Sequence, residues 1–167
     1  MRILLILSIF CVGILSAVIK HPWNFTPILS IVLLSGFYIK QKYSFLLPLS
    51  IVLCLYFILP PISLLLYAFL LGSYASIYLL GLYFLKKTFK STMILSFVSA
   101  AIFFIVSNFG VWLIGYPKSL PGFILCYEQA IPFFKNTLIS TMAFSAYFYL
   151  AYRFMYYYEK IYNKATT

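Results

Sequence analysis

The chain is a succession of long apolar runs cut by short polar or proline-bearing breaks. A helix needs about 17–25 mostly apolar residues to cross a bilayer. Six runs qualify, at about 3–19, 22–39, 43–59, 62–85, 92–114 and 137–158. The second is polar at its start, and Pro60-Pro61 ends the third. None alternates with period two, as a half-buried strand would, and a transmembrane barrel would need polar lumen positions. The pattern predicts an all-α membrane protein, a six-transmembrane-helix bundle forming one domain over 1–167. The first run, behind Met1-Arg2, also fits the start of a signal peptide. Leu15-Ser16-Ala17 lacks the paired small residues of a cleavage site, so its retention as a span is expected.

Composition reinforces the pattern. Hydrophobic residues make up 65% of the 167 and charged residues 8%, against about 45–50% and about 25% in ordinary soluble domains. A fold of this size leaves about a third of its chain surface in water, too much for so apolar a chain. Disorder needs low hydrophobicity. The solvent that remains is lipid.

Charge then sets orientation. Lys and Arg number 12, against two acids, Glu128 and Glu159. The bases stand singly or in short clusters between apolar runs, so they report topology rather than nucleic-acid binding. Arg2, Lys40, Lys42, Lys86, Lys87, Lys90, Arg153, Lys160 and Lys164 fall on one side of six alternating spans. Lys20, Lys118 and Lys135 fall on the other. The positive-inside rule puts the N and C termini in the cytoplasm, as an even number of spans requires, and predicts a multi-pass protein of the cell (inner) membrane. The segment 115–136 is then outside. Pro121 suits the first turn of a short helix with 123–131 as its body and Pro132 as its end. That run is too short to span, so a re-entrant or interfacial segment before the last helix is expected, or a loop resting on the headgroups.

Few residues offer chemistry. Cys11, Cys54 and Cys126 show no metal or disulfide spacing, and His21 stands alone. No hydrolase, P-loop or dinucleotide motif occurs, and two acids leave little for metal-assisted or carboxylate-pair catalysis. No enzyme, no cofactor and no metal are expected. Asn108 lies late in the fifth run, where an amide needs partners. It either bridges helices or walls a polar cavity. Asn24 and Asn136 stand at expected helix starts on the same outer side, where N-capping alone would explain them. Glu128, beside Tyr127, needs a cation such as Lys118 or Lys135 or else protonates, and the competing reading makes it a ligand contact or a proton site. Trp112 belongs to an outer aromatic belt or to the same site. Small residues recur four apart at Gly13 and Ala17, and at Ala68, Gly72 and Ser76, a spacing that serves close packing of membrane helices. The first pair also suits docking on a partner subunit.

The stretches HPWNFTPILSIVLLSGFY at 21–38, SNFGVWL at 107–113 and CYEQAIPFFKNTL at 126–138 resemble an uncharacterised family of small bacterial six-helix integral membrane proteins. More loosely, the architecture is similar to the S components of energy-coupling-factor vitamin transporters. That likeness implies a substrate-binding subunit of a small-molecule importer, docked through Gly13 and Ala17 on a transmembrane coupling subunit with ATPases. The outer residues Asn24, Asn108, Trp112, Tyr127, Glu128 and Asn136 would line its site, with aromatic rings to stack on a ligand and amides to orient it. The competing expectation is a membrane scaffold or assembly factor with no ligand site, in which the same residues are caps, belts and interhelical bonds.

Overall fold

The computed structural model describes residues 9, 11–16, 19, 22–38, 41–58 and 62–165. Among them every element is helical. We label the helical stretch at 11–16 α1, followed by α2 (Ile28–Tyr38), a 3-10 turn (Gln41–Tyr43), α3 (Leu46–Ile58), α4 (Leu64–Phe84), α5 (Phe89–Gly115) and α6 (Leu120–Ala165).

Local signals in the sequence set the helix ends. Ser63 caps α4 by accepting the Leu66 N–H at 3.2 Å, and Thr88 caps α5 by accepting that of Ser91 at 3.2 Å. Pro117 follows α5, which it cannot continue. Ser119 then opens α6, its hydroxyl accepting from Gly122 N and its carbonyl from Phe123 N. Pro121 sits in the first turn, where its missing N–H costs nothing.

Helix α2 is the hub of the bundle. Leu29, Ile31, Val32, Leu33 and Leu34 are all buried, as an all-round apolar helix must be inside a fold. It touches α3, α4, α5 and α6, and the Ser30 hydroxyl donates to the Thr141 carbonyl of α6 at 2.8 Å.

The outer helices reverse the usual polarity. The buried face of α5 is Thr92, Ser96, Ser99, Ala100, Ser107 and Gly110. Its four hydroxyls each donate to the carbonyl four residues back, so small polar groups are satisfied inside. Ile94, Phe97, Ile105 and Ile114 face outward. Helices α4 and α5 are each long and apolar enough to cross a membrane, yet only 11% and 28% of their most apolar stretches are buried inside the chain.

Three sequence expectations change. First, the segment 123–131 is not a separate helix ended by Pro132, since α6 runs unbroken for 46 residues. An interior proline loses one backbone bond and crowds the carbonyl four residues back, but tertiary contacts hold both flanks here. Before it, Tyr127 Oη donates to the Ile105 carbonyl at 2.7 Å, and after it Phe134 lies against Phe104 with ring centroids 4.7 Å apart. Second, the helix expected from residue 22 begins at Ile28. Residues 22–25 form a turn closed by Phe25 N on the Pro22 carbonyl, with Asn24 at φ 61°, a left-handed conformation that asparagine tolerates. Asn24 is therefore no N-cap, and neither is Asn136, in the interior of α6. Third, Ala68, Gly72 and Ser76 are exposed, and nothing lies within 4 Å of a Cβ built at Gly72. The packed face of α4 is Ser73, Ile77 and Gly81.

Gly13 is buried against the chain's own helices. A Cβ there meets Ile51 Cδ1 of α3 at 3.1 Å and Ile31 Cδ1 of α2 at 3.2 Å. Ala17 lies outside the described residues. Gly13→Leu is expected to lower thermal stability in detergent by about 1–3 kcal/mol, the ordinary cost of overpacking, without blocking insertion. An unchanged melting temperature with selective loss of a co-purifying subunit would assign Gly13 to docking instead.

Candidate functional site

One end of the bundle holds a cleft of about 360 Å³. Its walls come from the start of α4, the last turns of α5, the first half of α6 and the turn before α2. On α6 the lining residues Cys126, Gln129, Ala130, Phe133, Phe134 and Thr137 recur at three- and four-residue intervals, the signature of one helical face. From α5 come Phe103, Phe104, Ser107 and Asn108, and Trp23 and Asn24 stand at the rim.

The polar groups of the cleft divide into spent and open ones. Ser107 donates to the Phe103 carbonyl and Thr137 to that of Phe133. Asn108 Nδ2 donates one of its two N–H groups to the Phe104 carbonyl at 2.7 Å, which leaves Oδ1 and the second N–H open. Gln129, exposed beside the cleft, also keeps polar capacity. Its Oε1 accepts the Tyr116 hydroxyl proton at 2.5 Å, which leaves the Nε2 donors open. Cys126 Sγ, 3.6 Å from the Asn108 carbonyl, fixes α6 against α5 at this level. Burial pushes its thiol up from the ordinary cysteine range, so it stays a neutral donor. Among the described residues, no Asp, Glu, Lys, Arg or His side chain lines the cleft.

Asn24 and Asn108, expected at one site, do share this cleft. The other four expected residues stand around it without lining it. Trp112 pins the α5–α6 turn, its indole N–H donating to the Pro117 carbonyl at 3.0 Å and its ring packing on Phe109 and Phe123. Tyr127 binds the Ile105 carbonyl and packs on Phe104 and Phe123. Asn136 Nδ2 donates to the Trp23 carbonyl at 3.1 Å, tying the turn before α2 to α6. Glu128 is exposed and pairs with neither Lys118 nor Lys135. Lys118 turns to the carbonyls of Trp112 and Tyr116 at 2.9 and 2.8 Å, where a cation suits the carbonyl end of α5.

Gln129, Tyr116, Cys126 and Trp23 were missed as a lining set. Helix phase carries the signal: Tyr127 and Glu128 lie about 100° and 200° around the helix from Cys126, whereas Gln129 and Ala130 return to its face.

The fold and cleft define a class, an all-helical protein with a cleft at one end and two helices long and apolar enough to cross a membrane. Within that class the chain belongs to the family of unknown function DUF6580, whose model matches residues 1–164. No curated protein and no solved structure matches the chain.

Proposed function

We propose that the protein is a multi-pass subunit of the cell membrane, a six-helix bundle with both termini cytoplasmic, which binds a small molecule in the outer-end cleft for import. The observation that carries this reading is the cleft itself. Its volume falls within the about 300–1,000 Å³ of small-molecule sites, which are mostly apolar with a few placed polar groups. Its open polar groups belong to the amides of Asn108 and Gln129, each of which has one hydrogen bond made and further donor and acceptor capacity left. The membrane setting is supported by the outward apolar faces of α4 and α5 and by the nine-to-three split of the basic residues. Helix α6, about 69 Å long at 1.5 Å per residue, is over twice the about 30 Å of a bilayer core. With the expected span at 137–158, the first turns of α6 would lie beyond the lipid, where they wall the cleft. The chain carries no nucleotide motif, so ATP acts on partner subunits, among them a transmembrane coupling subunit, and this chain is no enzyme.

The second reading, a scaffold without a ligand, is favoured by one specific observation. Trp112, Tyr127 and Asn136 each donate to a backbone carbonyl of a turn or a neighbouring helix, as structural ties do. Native mass spectrometry of protein gently extracted from its host membrane separates the two. The binding reading expects a retained small molecule that dissociates on activation. A chain that stays folded and is always empty supports the scaffold.

A further inference from the structure

We infer that the groove between α3 and α4 seats one acyl chain of an anionic phospholipid of the inner leaflet, with its phosphate on Lys42. This rests on the membrane bundle and the orientation proposed above, and not on what the outer-end cleft binds.

Helix α3 packs on α2 and stands off from α4. The gap is an apolar groove of about 320 Å³. Pro48, Leu49 and Val52 form one wall, Leu71, Ala75 and Tyr78 the other, and Val32 of α2 the floor. Both ends are tied. At one, the Tyr56 ring of α3 meets that of Tyr67 of α4 with centroids 5.2 Å apart. At the other, the hydroxyls of Ser44 and Tyr78 share a hydrogen bond at 2.6 Å. The long side is open, since Leu49 and Leu71 on the two walls are 44% and 47% exposed. On the membrane reading that side faces lipid, so the occupant comes from the bilayer and not from water.

Dimensions then select the occupant. Leu71 to Tyr78 covers about 10 Å along α4, so the groove has a mean section of about 30 Å². An α-helix, about 10–12 Å across, covers more than twice that section. A single file of methylenes, packed about 4 Å from its neighbours, fits it. The groove starts beside Ser44 and runs inward for a length within the about 15 Å that one leaflet gives to the bilayer core.

Charge sets the headgroup. Lys42 stands exposed two residues before Ser44, its ammonium 5.5 Å from the Tyr43 ring centroid. The Ser44 to Tyr78 bond places it at the mouth of the groove. Anionic lipids of the cytoplasmic leaflet attract lysines at the membrane surface. A phosphate on Lys42 and an acyl chain in the groove are the two ends of one such molecule.

The test uses the full chain in detergent, titrated with dioleoylphosphatidylglycerol, dioleoylphosphatidylcholine or inorganic phosphate. Bound lipid is read by native mass spectrometry and stability by thermal unfolding. The glycerol lipid should bind about 5-fold more tightly than the choline lipid, the order of one lysine's attraction at a membrane surface. Phosphate alone should not stabilise. Lys42→Gln should bring the two lipids level. Ala75→Phe fills the groove from an exposed position. It should weaken both lipids by about 5-fold or more, as the packed methylene contacts are lost. Ser76→Phe, also exposed and turned about 100° around the helix from Ala75, should bind as the unaltered chain does. If Ala75→Phe lowers the melting temperature without lipid, Leu49→Trp on the facing wall replaces it. Equal affinity for the two lipids, or a preference that survives Lys42→Gln, overturns Lys42 as the phosphate site. Lipid binding indifferent to the groove variants overturns the groove. Stabilisation by phosphate alone overturns a lipid source, and a dimer that Ala75→Phe dissolves gives the groove to a second copy. Each of these outcomes leaves the membrane bundle standing, which topology labelling tests by itself.

Discussion

Gly81→Ala is expected to be strongly destabilising. Its α-carbon lies against the Leu33 carbonyl of α2, and an added Cβ would fall inside contact distance of that backbone oxygen. A side chain can rotate out of the way, but a carbonyl in the middle of a helix moves only if the helix moves. Helix α2 has nowhere to go, because Ile31, Val32 and Leu34 are buried on its other faces. Overpacking costs about 1–3 kcal/mol when side chains can adjust. Here the loss should reach or exceed the top of that range. Gly72→Ala is the control on the same helix. Nothing lies within 4 Å of its added methyl, and removing an interior helical glycine gains up to about 1 kcal/mol. Thermal unfolding of both variants in detergent should therefore move in opposite directions. Equal, small shifts for the two would mean that α2 and α4 do not pack through Gly81.

The contrast between these two glycines also shows what a reader of the sequence can and cannot see. The runs at 62–85 and 92–114 become α4 and α5 almost unchanged, because length and apolarity are summed properties that survive without knowing any neighbour. Which face packs is another matter. A helix that is apolar all round has no stripe to read, so the spacing Ala68, Gly72, Ser76 looked as good as Ser73, Ile77, Gly81. Only the position of α2 chooses between them. Pro132 misled for a related reason. Proline's local preference ends a helix, but the contacts of Tyr127, Phe134 and Asn136 across to α5 and the turn before α2 outweigh it.

The same physics divides the site. Asn108 was legible because an amide late in an apolar run has few uses, and Asn24 because it shares the expected outer end. Glu128 drew attention by its charge, yet helix phase turns it outward and brings its neutral neighbour Gln129 to the cleft. Phase could be set over 123–131 but not carried past Pro132 to Phe133, Phe134 and Thr137. Once α6 is continuous, Cys126, Gln129, Ala130, Phe133 and Thr137 fall on one line.

Cysteine labelling across α5 is the second large effect, and it is all-or-none. On a chain with Cys11, Cys54 and Cys126 replaced, a cysteine at Ser119 should react with an impermeant maleimide in intact cells, and one at Lys87 should react only after lysis. Both positions are exposed, so both should label fully in detergent, which removes burial as an explanation for a difference. Between them lies a single helix, α5, whose 27 residues extend about 40 Å, enough for the about 30 Å of a bilayer core. The pair therefore tests one crossing. The Lys86, Lys87 and Lys90 cluster before α5 sets the expected sign, because such clusters stay cytoplasmic. Ser119 begins α6 beside the cleft-lining segment, so on the importer reading proposed above a ligand would enter from its side of the membrane. Labelling at Lys87 alone from outside would invert the bundle and turn the cleft to the cytoplasm, which removes the importer reading. Labelling at both positions would mean that α5 does not cross at all, and the six-helix membrane bundle would fall with it.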